Sequence, residues 1–166
     1  SGNGNVFAAC AKGGNNNVGV HSGSYDITDF NTYNPFCDVY IWDGSNYRFS
    51  HKFSHNDISA NPYGNTRINF GHSVELNEDG SKVFISHPNY FGSCSGDCAG
   101  SVYVYEPSIN MSQPTPADID SMVWTLTNEF KQSDFTTPLN TRDQFGSSIH
   151  YNGNKLVVGS PLVNSN

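Results

Sequence analysis

Charge is scarce in this chain. Only 14 % of its 166 residues are Asp, Glu, Lys or Arg, which excludes a charged disordered tail and a long charged helix. Basic residues are scarcer still: eight Lys and Arg against fifteen acidic residues, for a net charge of −7, and nowhere clustered. A nucleic-acid groove or an anionic membrane surface needs a basic cluster, so neither is an expected partner. Long apolar runs are missing too; none approaches the roughly 18–20 residues that span a bilayer, so no membrane span is expected. There is no secretory leader and no initiating Met: the chain opens Ser1-Gly2-Asn3-Gly4-Asn5. It reads as a mature or excised piece of a longer precursor. A Gly-x-Ser-x-Gly elbow is absent, and no paired carboxylates stand out on one strand face. No catalytic residue is therefore assigned, and no enzyme activity is expected.

Cysteine is sparse but even in number. Cys94 and Cys98 sit in a Gly/Ser stretch, and Cys10 and Cys37 flank a long polar insertion. The simplest pairing is Cys10–Cys37 with Cys94–Cys98, each closing a loop between successive strands, though four cysteines allow three connectivities. A zinc site would need a CxxC pair or a suitable His pair, and the sequence has neither. Disulfides imply an oxidising compartment, so the expected location is extracellular, secreted or at the cell surface.

What the chain does have is Asn, Ser, Gly and Thr, the residues of turns, and aromatic mass of the kind strands favour, with eleven Phe and nine Tyr. Above all it repeats. Phe70-Gly71-His72-Ser73-Val74 returns as Phe145-Gly146-Ser147-Ser148-Ile149, a step of 75 residues. Each is followed by a turn and by a strand-like run ending in a small residue and Pro: Val83–Pro88, then Leu156–Pro161. Self-similarity at a long fixed period marks stacked supersecondary units.

Three partial copies can be overlaid. First strands are expected at Phe70–Asn77 and Phe145–Asn152, second strands at Asn5–Ala11, Lys82–Pro88 and Asn154–Pro161. Third strands are expected at Cys37–Asp43 and Ser101–Glu106, fourth strands at Tyr47–Phe53 and Met122–Phe130. Apolar residues alternate within them, aliphatic Val39 and Ile41 against aromatic Tyr40 and Trp42, Val102 and Val104 against Tyr103 and Tyr105. That is the period of a strand, and both faces are expected to be at least half buried. Asn152-Gly153, Glu78–Ser81 and Asp43–Asn46 are the turns. Residues 12–36 and 107–121 are loop insertions, where repeat proteins keep specificity. The division is thus 1–53 for strands 2 to 4 of a first unit, 69–130 for a complete second unit and 144–166 for strands 1 and 2 of a third.

These residues carry a resemblance. Phe70-Gly71 with Ser86-His87-Pro88, Gly100–Tyr105 and Val123-Trp124, then Phe145-Gly146 with Gly159-Ser160-Pro161, resembles the FG-GAP repeat of integrin-α-like β-propellers. Ala9-Cys10-Ala11 takes the GAP position of the first copy. The resemblance covers most of the chain outside the two insertions. It implies an all-β fold of four-stranded antiparallel propeller blades, about two of them plus partial ends where the family usually has about seven, so that the chain is either a fragment of a larger propeller or has its open ends completed by another chain. Many such repeats bind Ca²⁺ between strands 1 and 2. The aligned stretch is Glu75-x-Asn77-x-Asp79-Gly80, with Val83 where a last carboxylate is needed. A hard cation takes roughly six to eight oxygens, so the expected state is an ordinary hairpin without cofactor, Ca²⁺ at Glu75, Asn77 and Asp79 being the alternative.

The remaining polar residues say less. His51, His55 and Asp57 are read as solvent-facing and His87 as structural. Asn110-Met111-Ser112 is a glycosylation sequon in an exposed loop. The functional expectation is a secreted, non-catalytic adhesion or assembly module, in its specific form a structural subunit of an extracellular filament or surface appendage, working through protein partners or self-association. The alternatives are a carbohydrate-binding module, with Tyr25, Phe30, Tyr33 and Tyr90 stacking on glycans, and an accessory domain of a larger extracellular hydrolase.

Overall fold

The structure is a computed structural model, and it describes residues 1–11, 35–54, 69–88, 100–134 and 144–161. Among the described residues, nine strands form three antiparallel sheets. The first contains β1 (Val6–Ala11), β2 (Phe36–Trp42) and β3 (Tyr47–Ser54), in that order. The second contains β4 (Val74–Leu76), β5 (Val83–His87), β6 (Ser101–Pro107) and β7 (Trp124–Lys131). The third pairs β8 (Ser148–Asn152) with β9 (Lys155–Gly159). The fold is all-β and antiparallel, as the period-2 alternation predicts.

The sheets stack face to face. One apolar core lies between the first and second sheets and includes Val39, Ile41 and Phe53 against Val83, Ile85, Tyr103 and Tyr105. A second core lies between the other face of the second sheet (Phe84, Val102, Val104) and Ile149 of the third, with Tyr151, Leu156 and Val158 packed on it. The middle sheet is covered on both faces, so every residue of β5 is buried and so are the first five of β6. The first sheet is covered on one face, so β2 alternates: Cys37, Val39 and Ile41 buried, Tyr40 half-buried and Trp42 exposed. Both faces are therefore buried in the second sheet as expected, but only the aliphatic face is buried in the first.

The first strands start later than the sequence pattern suggests. Phe70-Gly71 and Phe145-Gly146 lie in turns ahead of β4 and β8, with Gly71 at φ 73° and Gly146 at φ 91°. Positive φ ends a strand ladder and favours glycine.

Residues 107–121 also differ from an open loop, because they contain α1 (Pro116–Ser121). Thr115 caps it. Its hydroxyl accepts from the Asp118 amide at 3.3 Å, and the Asp118 carboxylate accepts from the Thr115 amide at 2.9 Å, a capping box closed by Asp rather than Glu. Pro116 stands at a first-turn position, where a missing N–H costs nothing. The helix packs on β3 and sinks Ile119 into the first core beside Met111 and Met122. Burying such a side chain stabilises by about 1.5–3 kcal/mol. An ion pair at 3.0 Å joins Asp120 to Arg48 of β3, and the Trp124 indole donates to Ser50 at 3.1 Å.

Candidate interaction surface

The Phe-Gly motif works as a corner that locks one sheet on the next. The Gly71 amide donates to the Ser86 carbonyl at 2.9 Å, and the Gly146 amide donates to the Gly159 carbonyl at 3.0 Å. Each corner then abuts the preceding sheet. A Cβ on Gly71 would stand 2.9 Å from both Cys10 Cβ and Cys37 Sγ, and one on Gly146 would stand 3.3 Å from Ser86 Cβ. The aromatic partners Phe70 and Phe145 are buried, Phe70 fully, with its ring 6.2 Å from that of Tyr103. Pro161 follows β9 and is exposed.

These contacts fix how the copies correspond. Cys10 takes the place of Ser86 and of Gly159, and Cys37, its partner across the ladder, takes the place of Val102. The irregularity between Val39 and Tyr40 then coincides with the one between Val104 and Tyr105. The first copy is thus shifted by one residue from the alignment on Ala9-Cys10-Ala11. A one-residue shift exchanges the two faces of every strand.

With that register, the outer face of the first sheet is informative. Phe7, Tyr40, Trp42, Tyr47 and Phe49 share it and form a connected aromatic cluster. Ring centroids are 5.6 Å apart for Phe7–Tyr40, 5.8 Å for Tyr40–Phe49 and 5.3 Å for Trp42–Tyr47. Phe7, Tyr47 and Phe49 are about half exposed, at 49 %, 49 % and 52 %, and Trp42 is 38 % exposed. Four such rings present roughly 400 Å² of aromatic surface, within the range of the largest apolar patch on a soluble monomer, which is often functional. Sequence alternation puts these residues on one face but does not say that the face is open. Only the absence of a covering layer among the described residues shows that.

A second feature lies at the opposite side of the second sheet. Because the third sheet has two strands among the described residues, it covers only part of that face. A groove of about 550 Å³ remains, with Val104 and Phe130 of the second sheet on one wall and Tyr151 and Leu156 of the third on the other. Lys82 and Glu106 line it and pair at 2.7 Å. The Lys82 ammonium, and then the Thr127 hydroxyl, hold the Glu106 carboxyl below the usual carboxylate range.

The other residues singled out by sequence fall as follows. Cys10 and Cys37 form a disulfide between directly opposed residues of β1 and β2; Cys94 and Cys98 lie outside the described residues. The Asn77 side chain accepts from the Lys82 amide at 2.8 Å and donates to Ser81 at 2.9 Å, while Asp79 accepts from the Ser81 amide at 2.9 Å. Both are spent on the hairpin, and the Ser81 hydroxyl lowers the Asp79 pKa. Glu75 points elsewhere, 3.4 Å from His150 of β8. No group of three or more His, Cys, Asp or Glu able to hold a metal occurs among the described residues. Asn110 is exposed and accepts from the Ser112 amide at 2.8 Å. His51 is half-buried with its ring 4.7 Å from that of Phe53, rather than turned to solvent. His87 is buried beside Phe70. His55, Asp57, Tyr25, Phe30, Tyr33 and Tyr90 lie outside the described residues. No helix among the described residues is long and apolar enough to cross a membrane.

Comparison with protein-family models, with curated proteins and with solved structures returns no match.

Proposed function

We propose that this chain is a non-catalytic assembly or adhesion module of the extracellular space, built from FG-GAP-type propeller blades and acting through protein–protein contact. The observation that carries the reading is the open aromatic face of the first sheet. Its five rings sit on rigid strands, with no titratable cluster or metal-ligand group beside them among the described residues. Such a surface recognises another apolar surface. The blade reading is supported by the two Phe-Gly corners, which repeat the same hydrogen bond and close approach. It is also supported by the placing of β4 against β1 on one side and β8 on the other, as the inner strands of radially arranged sheets would lie. The extracellular location is supported by the Cys10–Cys37 disulfide.

Sedimentation velocity and electron microscopy over a wide concentration range test this. Reversible association, or capture of a surface protein that Phe49→Arg abolishes, is the expected result. A monodisperse monomer that captures nothing refutes it. Carbohydrate binding is the second reading, because exposed Trp and Tyr rings also stack on sugars. The Trp42 and Tyr47 rings, however, meet at 63° rather than forming one flat platform. A glycan array with hits lost in Trp42→Ala would move the assignment there.

A further inference from the structure

Two places in the chain put glycine directly after asparagine, Asn3-Gly4 and Asn152-Gly153. That pair carries a reactivity of its own. The main-chain nitrogen of the glycine can reach the side-chain carbonyl carbon of the asparagine, and no Cβ on the glycine obstructs the approach. Both glycines are exposed and at positive φ, 73° at Gly4 and 67° at Gly153, and a Cβ on either would meet nothing within 4 Å. Space and backbone are thus alike at the two sites. Their hydrogen bonds are not.

At Asn3 the side-chain oxygen accepts from the Ser1 hydroxyl at 2.7 Å and from the Asn5 amide at 3.0 Å, while the Gly4 amide donates to the Ser1 carbonyl at 3.1 Å. The carboxamide and the attacking nitrogen are both held in place, and those bonds must break before the two can meet. The two Asp-Gly steps are held in the same way. Asp43 accepts from the Ser45 and Asn46 amides at 2.8 and 2.9 Å, and Asp79 accepts from the Ser81 amide at 2.9 Å. The Asn46 and Ser45 amides keep the Asp43 carboxyl below its ordinary range, and the Ser81 hydroxyl and amide do so for Asp79. An ionised carboxylate resists attack by an amide. Asn152 differs from all three. It stands exposed at the end of β8, paired with Lys155 across a two-residue turn. Among the described residues, neither its side chain nor the Gly153 amide has a hydrogen-bond partner.

We propose that Asn152 is a site of spontaneous covalent modification, in which the Gly153 main-chain nitrogen closes on the Asn152 carboxamide. The nitrogen gives up its proton to water and bonds to Cγ. The Cγ–Nδ2 bond breaks, and Nδ2 takes up a proton and leaves as ammonia. A five-membered cyclic imide results. Water then adds at Cγ and opens the ring to aspartate, or adds at the main-chain carbonyl carbon and opens it to isoaspartate, whose main chain runs through Cβ. One water enters and one ammonia leaves, with no oxidant and no cofactor. The two products act differently on the hairpin. An aspartate at this position is directly opposed to Lys155 and gains a partner of opposite charge. Isoaspartate adds one carbon to the main chain and disturbs the pairing of Asn152 with Lys155 and of Tyr151 with Leu156. Tyr151 and Leu156 pack on the second core, so this product loosens the third sheet on the second. The reaction is independent of the assembly reading.

The test holds the purified protein in warm, mildly alkaline buffer and reads tryptic peptides by mass spectrometry, with electron-transfer fragmentation to separate aspartate from isoaspartate. The expected result is a gain of about 1 Da at Asn152, as both products. It builds up at least about tenfold faster than at Asn3, where the hydrogen bonds must first break. In urea, where no fold holds either side chain, the two sites react at similar rates. Amide hydrogen exchange across β9 quickens in the isoaspartate form. Asn152 that stays intact in the folded protein overturns the proposal. So does conversion at Asn3 as fast as at Asn152, or a difference between the sites that survives in urea, because the fold is then not what decides. Aspartate without isoaspartate identifies direct hydrolysis and overturns the ring closure. Unchanged exchange in β9 overturns the effect on packing.

Discussion

Replacing Gly71 and Gly153 by alanine separates two costs that the Phe-Gly corner combines. Gly71 has φ 73° and Gly153 has φ 67°. A Cβ at either position pays for left-handed backbone, about 1–2 kcal/mol. The surroundings differ. At Gly153 a Cβ meets nothing within 4 Å, while at Gly71 it stands 2.9 Å from Cys10 Cβ and Cys37 Sγ. Those atoms belong to a disulfide on two paired strands and cannot swing aside as a flexible side chain would. Overpacking of this kind costs about 1–3 kcal/mol more. Gly71→Ala should therefore destabilise by about 2–5 kcal/mol, and Gly153→Ala by about 1–2 kcal/mol. Gly146→Ala should fall between, since its nearest contacts would be 3.2–3.3 Å. Urea titration followed by tryptophan fluorescence gives all three. In thermal unfolding each kcal/mol corresponds to about 2–4 °C for a chain of this size. If Gly71→Ala is no more destabilising than Gly153→Ala, the corner is not wedged between sheets and the stacking argument fails.

Four further outcomes follow from the same structure. Reducing Cys10–Cys37, or replacing both by Ser, releases a loop of 27 residues; the chain-entropy relation gives a loss of about 3.5 kcal/mol, read as a lower urea midpoint in the reduced protein. Thr115→Ala removes the cap of α1 and should cost about 1 kcal/mol, whereas Ile119→Ala should cost about 2–5 kcal/mol through the first core; comparable losses would mean that the helix is not anchored there. The carboxyls of Glu106 and Asp79 are held below their ordinary range by Lys82 and Ser81. Their contribution is thus fully present above the ordinary carboxylate range and is lost as pH falls through the lowered values. Stability should drop below about pH 4, and Glu106→Gln should flatten part of that drop. Expression through a glycosylating secretory pathway should add a glycan at Asn110 that Ser112→Ala removes, a shift visible by intact mass.

How far these features are legible in the sequence depends on the range over which each is decided. Asn152-Gly153 and Asp43-Gly44 announce their turns because a glycine there supplies the positive φ, 67° at Gly153 and 97° at Gly44. The β5 and β6 segments are readable because a strand buried on both faces must be apolar in both registers. Helix α1 was hidden because its cap uses Asp118 where Glu or Gln usually stands, and because Pro, Ser and Thr are also loop residues. Its anchor, Ile119, matters only through β3 and the first core. The starts of β4 and β8 are hard to read for a similar reason: Phe70 and Phe145 look like strand residues until the glycine beside each turns the chain.

The amino-acid order alone determined the local grammar of this protein: the alternation that makes strands, the glycines and asparagines that end them, and the recurrence of Phe-Gly at a fixed step. Those are matters of dihedral freedom and side-chain period, settled within a few residues. Which face is covered was decided only in three dimensions. Tyr40 and Tyr105 occupy equivalent positions, yet Tyr105 is buried in the first core and Tyr40 sits in an open aromatic cluster. Burial is set by the neighbouring layer, which lies far away along the chain, and no single strand carries a record of whether that layer is there.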